Sequence, residues 1–269
     1  MLESLDSSAR RFATASGEGS IIWREWGNGP PLVLIHGGFG SWRHWVRNIP
    51  SLAERFLVLA PDLPGMGDSD PVTERDTPGE IVTALSSGLV QILGANRHYN
   101  LAGFSFGGMI AGALAQADRE RVLSLALVAP ICLATGRPRP EVMGLRGLVG
   151  TERRAAHRCN LMSTMFADPR SADDLALEVQ EQNHLRVRAT SFALTRRPFL
   201  RDMLPGISPV PHFIWGGRDN FSADYMDENV AIVRAARPDA TVEIVPHAGH
   251  WLPYERAESV TAFLCRYSE

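Results

Sequence analysis

The feature that most constrains this chain is the stretch Gly103-Phe104-Ser105-Phe106-Gly107. An apolar run ends just before it at Leu101-Ala102, and an apolar, alanine-rich run follows from Gly108 to Ala115. These patterns predict a strand, a tight turn and a helix, with a serine at the bend. Such a turn lifts the hydroxyl clear of a sheet, and glycines on either side let the helix cross close to the strand. The serine becomes chemically useful only with oxyanion donors upstream and an acid and a histidine downstream.

The rest of the chain supplies that frame. Residues 10–26 predict an opening hairpin around Gly17-Glu18-Gly19. Leu32-Val33-Leu34-Ile35 and Phe56 to Ala60 are apolar runs, as expected of strands buried on both faces of a parallel sheet, and Leu123 to Val128 reads as another buried strand. Between the first two, Ser41 can cap a helix whose apolar positions are Trp42, Trp45, Val46, Ile49 and Leu52. Residues 78–94 are helical in pattern. From Ile131 to Ser208 helical stretches replace the alternation, which resumes with His212 to Trp215, a helix over Glu228–Ala236, a strand over Val242–Val245 and a last helix from Pro253. The fold class is therefore α/β, a doubly wound, mostly parallel sheet. Residues 1–130 and 209–269 form the core domain, and residues 131–208 a helical cap over the carboxyl ends of the strands, where such sheets bind ligands.

Four motifs surround the serine turn: His36-Gly37-Gly38-Phe39-Gly40, Asp62-Leu63-Pro64-Gly65, Gly216-Gly217-Arg218-Asp219 and Ala248-Gly249-His250-Trp251. In their order along the chain they resemble the α/β-hydrolase fold over nearly its whole length. The resemblance implies a catalytic triad of Ser105 as nucleophile, His250 as base and Asp219 as the acid that orients the base. His247 lies three residues from His250 but continues the pattern of a strand, whereas Gly249-His250 reads as a turn. For the oxyanion, the N–H of Phe106 at a helix start is one expected donor; Gly38 and Phe39 are equal candidates for the other. His36 reads as a structural loop residue, and Asp62 and Asp68 as turn formers.

Serine at the turn favours an acyl-enzyme, with ester cleavage the leading expectation. Relatives that open epoxides or displace halide carry aspartate there. A second branch, the meta-cleavage-product hydrolases, cleaves carbon–carbon bonds next to a ketone. This chain is similar to that branch in its glycine-rich oxyanion loop and in Trp251, but it has Phe104 where that branch usually has asparagine. A ligand receptor without turnover is the rival from outside enzymology, and the intact triad argues against it. Phe39 and Trp251 are candidates for the pocket wall. Trp45 and Phe104 read first as core, with Phe104 also kept as a substrate-side candidate.

Composition narrows the chemistry further. All 27 basic residues are arginine, which excludes a P-loop lysine, a pyridoxal Schiff base and a Ser-Lys dyad. Within 131–208 there are twelve arginines and eight acidic residues, a balance of +4 against −7 elsewhere, consistent with the total of −3. A cap arginine, Arg196, Arg197 or Arg153, is a candidate to meet a substrate carboxylate, since guanidinium binds carboxylate bidentately; the same charges also suit a solvated helix face. No His, Cys, Asp or Glu group has metal-ligand spacing, so no metal and no cofactor is expected. The partner is a small molecule, with no nucleic acid and no membrane implied. Three scattered cysteines and the lack of a signal-like start or a long apolar run imply the cytoplasm.

Overall fold

The computed structural model describes residues 1–72, 77–134, 140–189 and 194–268. In chain order the elements are α1 (Leu2–Ser8), β1 (Arg10–Ser16), β2 (Gly19–Trp26), β3 (Pro31–Ile35), α2 (Ile49–Ala53), β4 (Leu57–Pro61), α3 (Gly79–Leu93), β5 (Tyr99–Phe104), α4 (Phe106–Ala117), β6 (Val122–Val128), α5 (Gly150–Thr164), α6 (Asp174–Leu185), α7 (Phe199–Met203), β7 (Pro211–Gly216), α8 (Met226–Ala236), β8 (Thr241–Val245), α9 (Leu252–Glu255) and α10 (Ala257–Tyr267).

The eight strands form one sheet in the order β1-β2-β4-β3-β5-β6-β7-β8. The pairs β1–β2 and β2–β4 are antiparallel, and every other neighbouring pair is parallel. The apolar runs sit where their lack of alternation requires, at the centre. All residues of β3 and β5 are buried, and helices cover both faces. On one face α3 packs beside α4, and on the other α2 packs beside α10. The opening hairpin pairs Ser16 with Gly19, as the Gly17-Glu18 turn predicts.

The expected helix from Ser41 to Leu52 is broken in two. Ser41 does cap its start, its Oγ accepting the N–H of Arg43 at 3.3 Å, but only a 3-10 turn over Trp42–Trp45 follows. The chain restarts as α2 with Pro50 in its first turn, where a missing N–H costs no hydrogen bond. The last helix is likewise split at Arg256 into α9 and α10.

Between β6 and β7 the described residues contain α5, α6, α7 and short 3-10 turns, and no strand. The α6 helix is tied to the core twice. Ser41 donates through Oγ to Asn183 Oδ1 at 2.6 Å, and Asp173, which caps α6, accepts from Arg47 Nη2 at 2.5 Å and from the Tyr254 hydroxyl. No helix of the described residues is long and apolar enough to cross a membrane.

Candidate active site

The serine turn comes first because packing forces it. Ser105 has φ 54° and ψ −116°, a strained conformation for a residue with a side chain. A Cβ on Gly103 would lie 2.2 Å from the Gly107 carbonyl oxygen, and one on Gly107 would lie 2.3 Å from the His36 oxygen. Only glycine at both positions lets α4 start this close to β3 and β5. Ser105 is half-buried at the carboxyl end of β5, with its N–H donating to Val128 O at 2.9 Å.

His250 and Asp219 arrive from the ends of β8 and β7, beyond β6 in the sheet. Asp219 follows β7 and is fully buried, so it is no surface turn carboxylate. Its Oδ1 accepts the Phe221 N–H at 2.8 Å, and its Oδ2 lies 2.8 Å from His250 Nδ1. The opposite ring nitrogen, His250 Nε2, lies 2.8 Å from Ser105 Oγ. A carboxylate can only accept, so Nδ1 carries the proton and the Nε2 lone pair faces the hydroxyl. His247 is exposed and sits in a left-handed turn with φ 55°, after β8 has ended at Val245, rather than continuing the strand.

The loop carrying Gly38 and Phe39 leaves β3, and β3 pairs with β5 through Ile35 and Gly103. The two carboxyl ends, and so the two expected donor positions, are neighbours. Phe39 has φ 57° inside a turn closed by Gly40 N–H to Gly37 O at 3.2 Å, and the residue is 38% exposed. Phe106 is the first residue of α4, where helix geometry provides no intrahelical acceptor for the N–H.

Two histidines brace this loop from behind. His36 Nε2 accepts the Leu63 N–H at 2.8 Å while Nδ1 donates to Gly37 O at 2.7 Å, the structural role expected of it. His44 Nδ1 accepts the Gly37 N–H at 3.2 Å. Burial holds the pKa of His36 below, and that of His44 well below, the ordinary imidazole value, so both are neutral. Asp62, also fully buried, accepts from Trp42 N, Asp68 N and Arg24 Nη1, fixing the turn after β4.

The aromatic candidates fall on both sides of the expectation. Phe104 is fully buried, with its ring 5.2 Å from that of His250 and 5.4 Å from that of His44. Trp251, expected in the pocket wall, is 1% exposed. Its indole N–H donates to His44 O at 2.9 Å and its ring stacks on Phe166 at 5.5 Å, so it packs behind the histidine turn. The arginines separate too. Arg153 is engaged by Glu181, its Nε donating to both carboxylate oxygens at 2.8 and 2.9 Å. Arg196 and Arg197 are exposed, the latter 6.0 Å from the Phe199 ring.

Three neighbours of the triad have no local mark in the sequence. Phe221 lies 4.6 Å from the His250 ring, Asn220 Nδ2 donates to Ser163 O at 2.8 Å, and Glu255 accepts the Gly249 N–H. They are found only once tertiary contacts are known. Among the described residues no group of three or more His, Cys, Asp or Glu is placed to hold a metal ion.

Known proteins share this arrangement of chain. A dihydrolipoyllysine-residue acetyltransferase component of an acetoin cleaving system from Pseudomonas putida is 32% identical over 258 residues; 89% of this chain matches 64% of that protein, so the chain spans less than two thirds of its length. A 2-hydroxy-6-oxononadienedioate/2-hydroxy-6-oxononatrienedioate hydrolase from the same species is 28% identical over 277 residues, covering 94% of each chain. In fold the structure resembles an esterase from Rhodococcus sp. ECU1013, with a TM-score of 0.79, 20% identity, and coverage of 96% of this chain and 98% of that one. A model of the alpha/beta hydrolase family matches residues 32–263, and the chain belongs to that family.

Proposed function

We propose that the protein cleaves a small carboxylic ester through an acyl-enzyme, with no cofactor. The observation that carries this reading is the unbroken relay from Ser105 Oγ to His250 Nε2 and from Nδ1 to Asp219, at 2.8 Å in each link. Ser105 Oγ attacks the ester carbonyl carbon as its proton passes to His250 Nε2. Asp219 stabilises the imidazolium without taking its proton. The oxyanion is met by the N–H of Phe106 and by one from Gly38 or Phe39. Collapse expels the alcohol, which takes the proton from His250. Water then attacks the acyl carbonyl through the same base, releasing the acid and restoring Ser105. Residues 131–208 act as the cap that shapes the acyl site, and cysteine usage favours a cytoplasmic setting.

The test is stopped-flow release of nitrophenol from p-nitrophenyl acetate. A burst near one equivalent per chain, lost in Ser105→Ala, is the expected result. Release that is undiminished in Ser105→Ala overturns the reading.

A second reading, carbon–carbon hydrolysis of a vinylogous diketo acid, is favoured by the similarity over 94% of each chain to the oxononadienedioate hydrolase. Against it stands the packing at Phe104, where an apolar ring fills the space beside His250. Ser105-dependent turnover of a ketone-bearing dienoate, faster than that of the ester, would reverse the preference.

A further inference from the structure

Glu255 lies five residues beyond His250, in α9, and is only 8% exposed. A buried carboxylate is costly unless its oxygens are hydrogen-bonded, and here both are. One oxygen accepts the Gly249 N–H, in the turn that carries His250. The other accepts the N–H groups of Ala167 at 3.0 Å and Asp168 at 2.7 Å, with Ser171 Oγ at 3.4 Å. These residues follow directly on α5, so one carboxylate joins the base's turn to the exit of a cap helix.

Other contacts converge on the same joint. Trp251 N–H donates to Met165 O at 2.9 Å, and the Trp251 ring stacks on Phe166. A Cβ on Gly249 would meet Ala167 N and Met165 O at 2.6 Å, so the turn and the exit of α5 are in backbone contact. On the acid's side, Asn220 reaches Ser163 O. The turns of Asp219 and His250 are thus both referenced to residues 163–168 rather than to each other alone.

We propose that Glu255 is a positioning residue: through Gly249 it holds the His250 ring in register with Asp219 and Ser105, and through Ala167 and Asp168 it makes that register depend on the seating of the cap. The proposal rests on the triad reading above, so Ser105→Ala and His250→Ala are measured in parallel. Their retained activity would remove the triad reading, whatever Glu255 does.

Glu255→Gln keeps the size of the side chain but not two acceptor oxygens. Its expected effect is a fall in kcat for p-nitrophenyl acetate on the order of tenfold to a hundredfold, as for a displaced catalytic group, with KM within about twofold. The downfield proton resonance of the His250–Asp219 hydrogen bond should broaden or shift, and the pH profile of kcat/KM should move. A lowered melting temperature with kcat, pH profile and resonance unchanged would show a merely structural role and overturn the proposal. The native chain offers a check that needs no variant. If one carboxylate ties both segments, the amides of Gly249, Ala167 and Asp168 exchange with solvent at matched, slow rates; Gly249 exchanging far faster than the other two would also overturn it.

Discussion

At the scale of single residues, Phe104 shows how tightly the Ser105 turn is supported. Its ring meets His44, Trp45 and His250, and a Cβ on Gly37 would come within 2.9 Å of it. No space is left for a neighbour to move into, so Phe104→Ala should leave a cavity costing about 3–5 kcal/mol. The midpoint of urea unfolding would report that loss, and kcat should fall with it because the His250 ring loses one side of its packing. A change below about 1 kcal/mol would mean that the site relaxes around the gap. The residues flanking this turn were legible in the sequence because each obeys a local rule. Ser105 sits between glycines that the close helix crossing demands, Asp219 follows Gly216-Gly217, and His250 follows Gly249. Trp251 was not legible in the same way. Whether an indole lines a pocket or packs behind a turn depends on partners such as Phe166, 85 positions earlier in the chain, and no local pattern encodes that distance.

At the scale of elements, the central strands were readable because burial on both faces leaves mostly apolar residues, while the helices between β6 and β7 carry a mixed pattern that spacing alone does not orient. Their arginines illustrate the point. Charge counting offered Arg153, Arg196 and Arg197 alike as candidates for a substrate carboxylate or for a solvated face, while the packing of α5 on α6 brings Arg153 and His157 onto Glu181. The two classes should respond differently to substitution. Arg196→Gln or Arg197→Gln, if either side chain meets a substrate carboxylate, should lower kcat/KM for the anionic monoester of a dicarboxylic acid about tenfold relative to a neutral ester, the loss of one charged hydrogen bond. Arg153→Gln should instead lower the melting temperature and leave that ratio unchanged, since it removes a partner of Glu181 and touches no substrate. An unchanged ratio in both Arg196 and Arg197 variants would assign these charges to solvent. A ratio that shifts in Arg153→Gln would return that residue to the site.

At the scale of the whole molecule, the same burial that shapes the active-site floor makes the fold sensitive to acid. His36 and His44 lie between the loops after β3 and β4, and burial depresses the pKa of each, that of His44 further through the nearby rings of His36 and His250. His157 and His212 shift in the same direction, again chiefly by burial. The sign follows from proton counting. Unfolded, each imidazole binds a proton near its ordinary value of about 6.5; folded, it resists, so below that pH the unfolded chain holds more protons and stability must fall. The contribution is fully present above about pH 6.5 and is lost as the pH drops toward the folded values, with a slope of at most ~1.4 kcal/mol per pH unit per histidine. Carboxylates act in a lower window. Burial raises the pKa of Asp68, but the hydrogen bond to Arg24 and the charges of Arg24, Arg11 and Arg43 together hold it below the ordinary value, so its contribution fades only under about pH 4. Urea unfolding between pH 7.5 and 5 therefore isolates the imidazoles, and the midpoint should hold down to about pH 6.5 and fall below it. His44→Gln, which can still accept the Gly37 N–H through its amide oxygen, should lower stability at pH 7.5 yet flatten the pH dependence below 6.5. An equally steep slope in that variant would shift the acid sensitivity from His44 to the other buried rings.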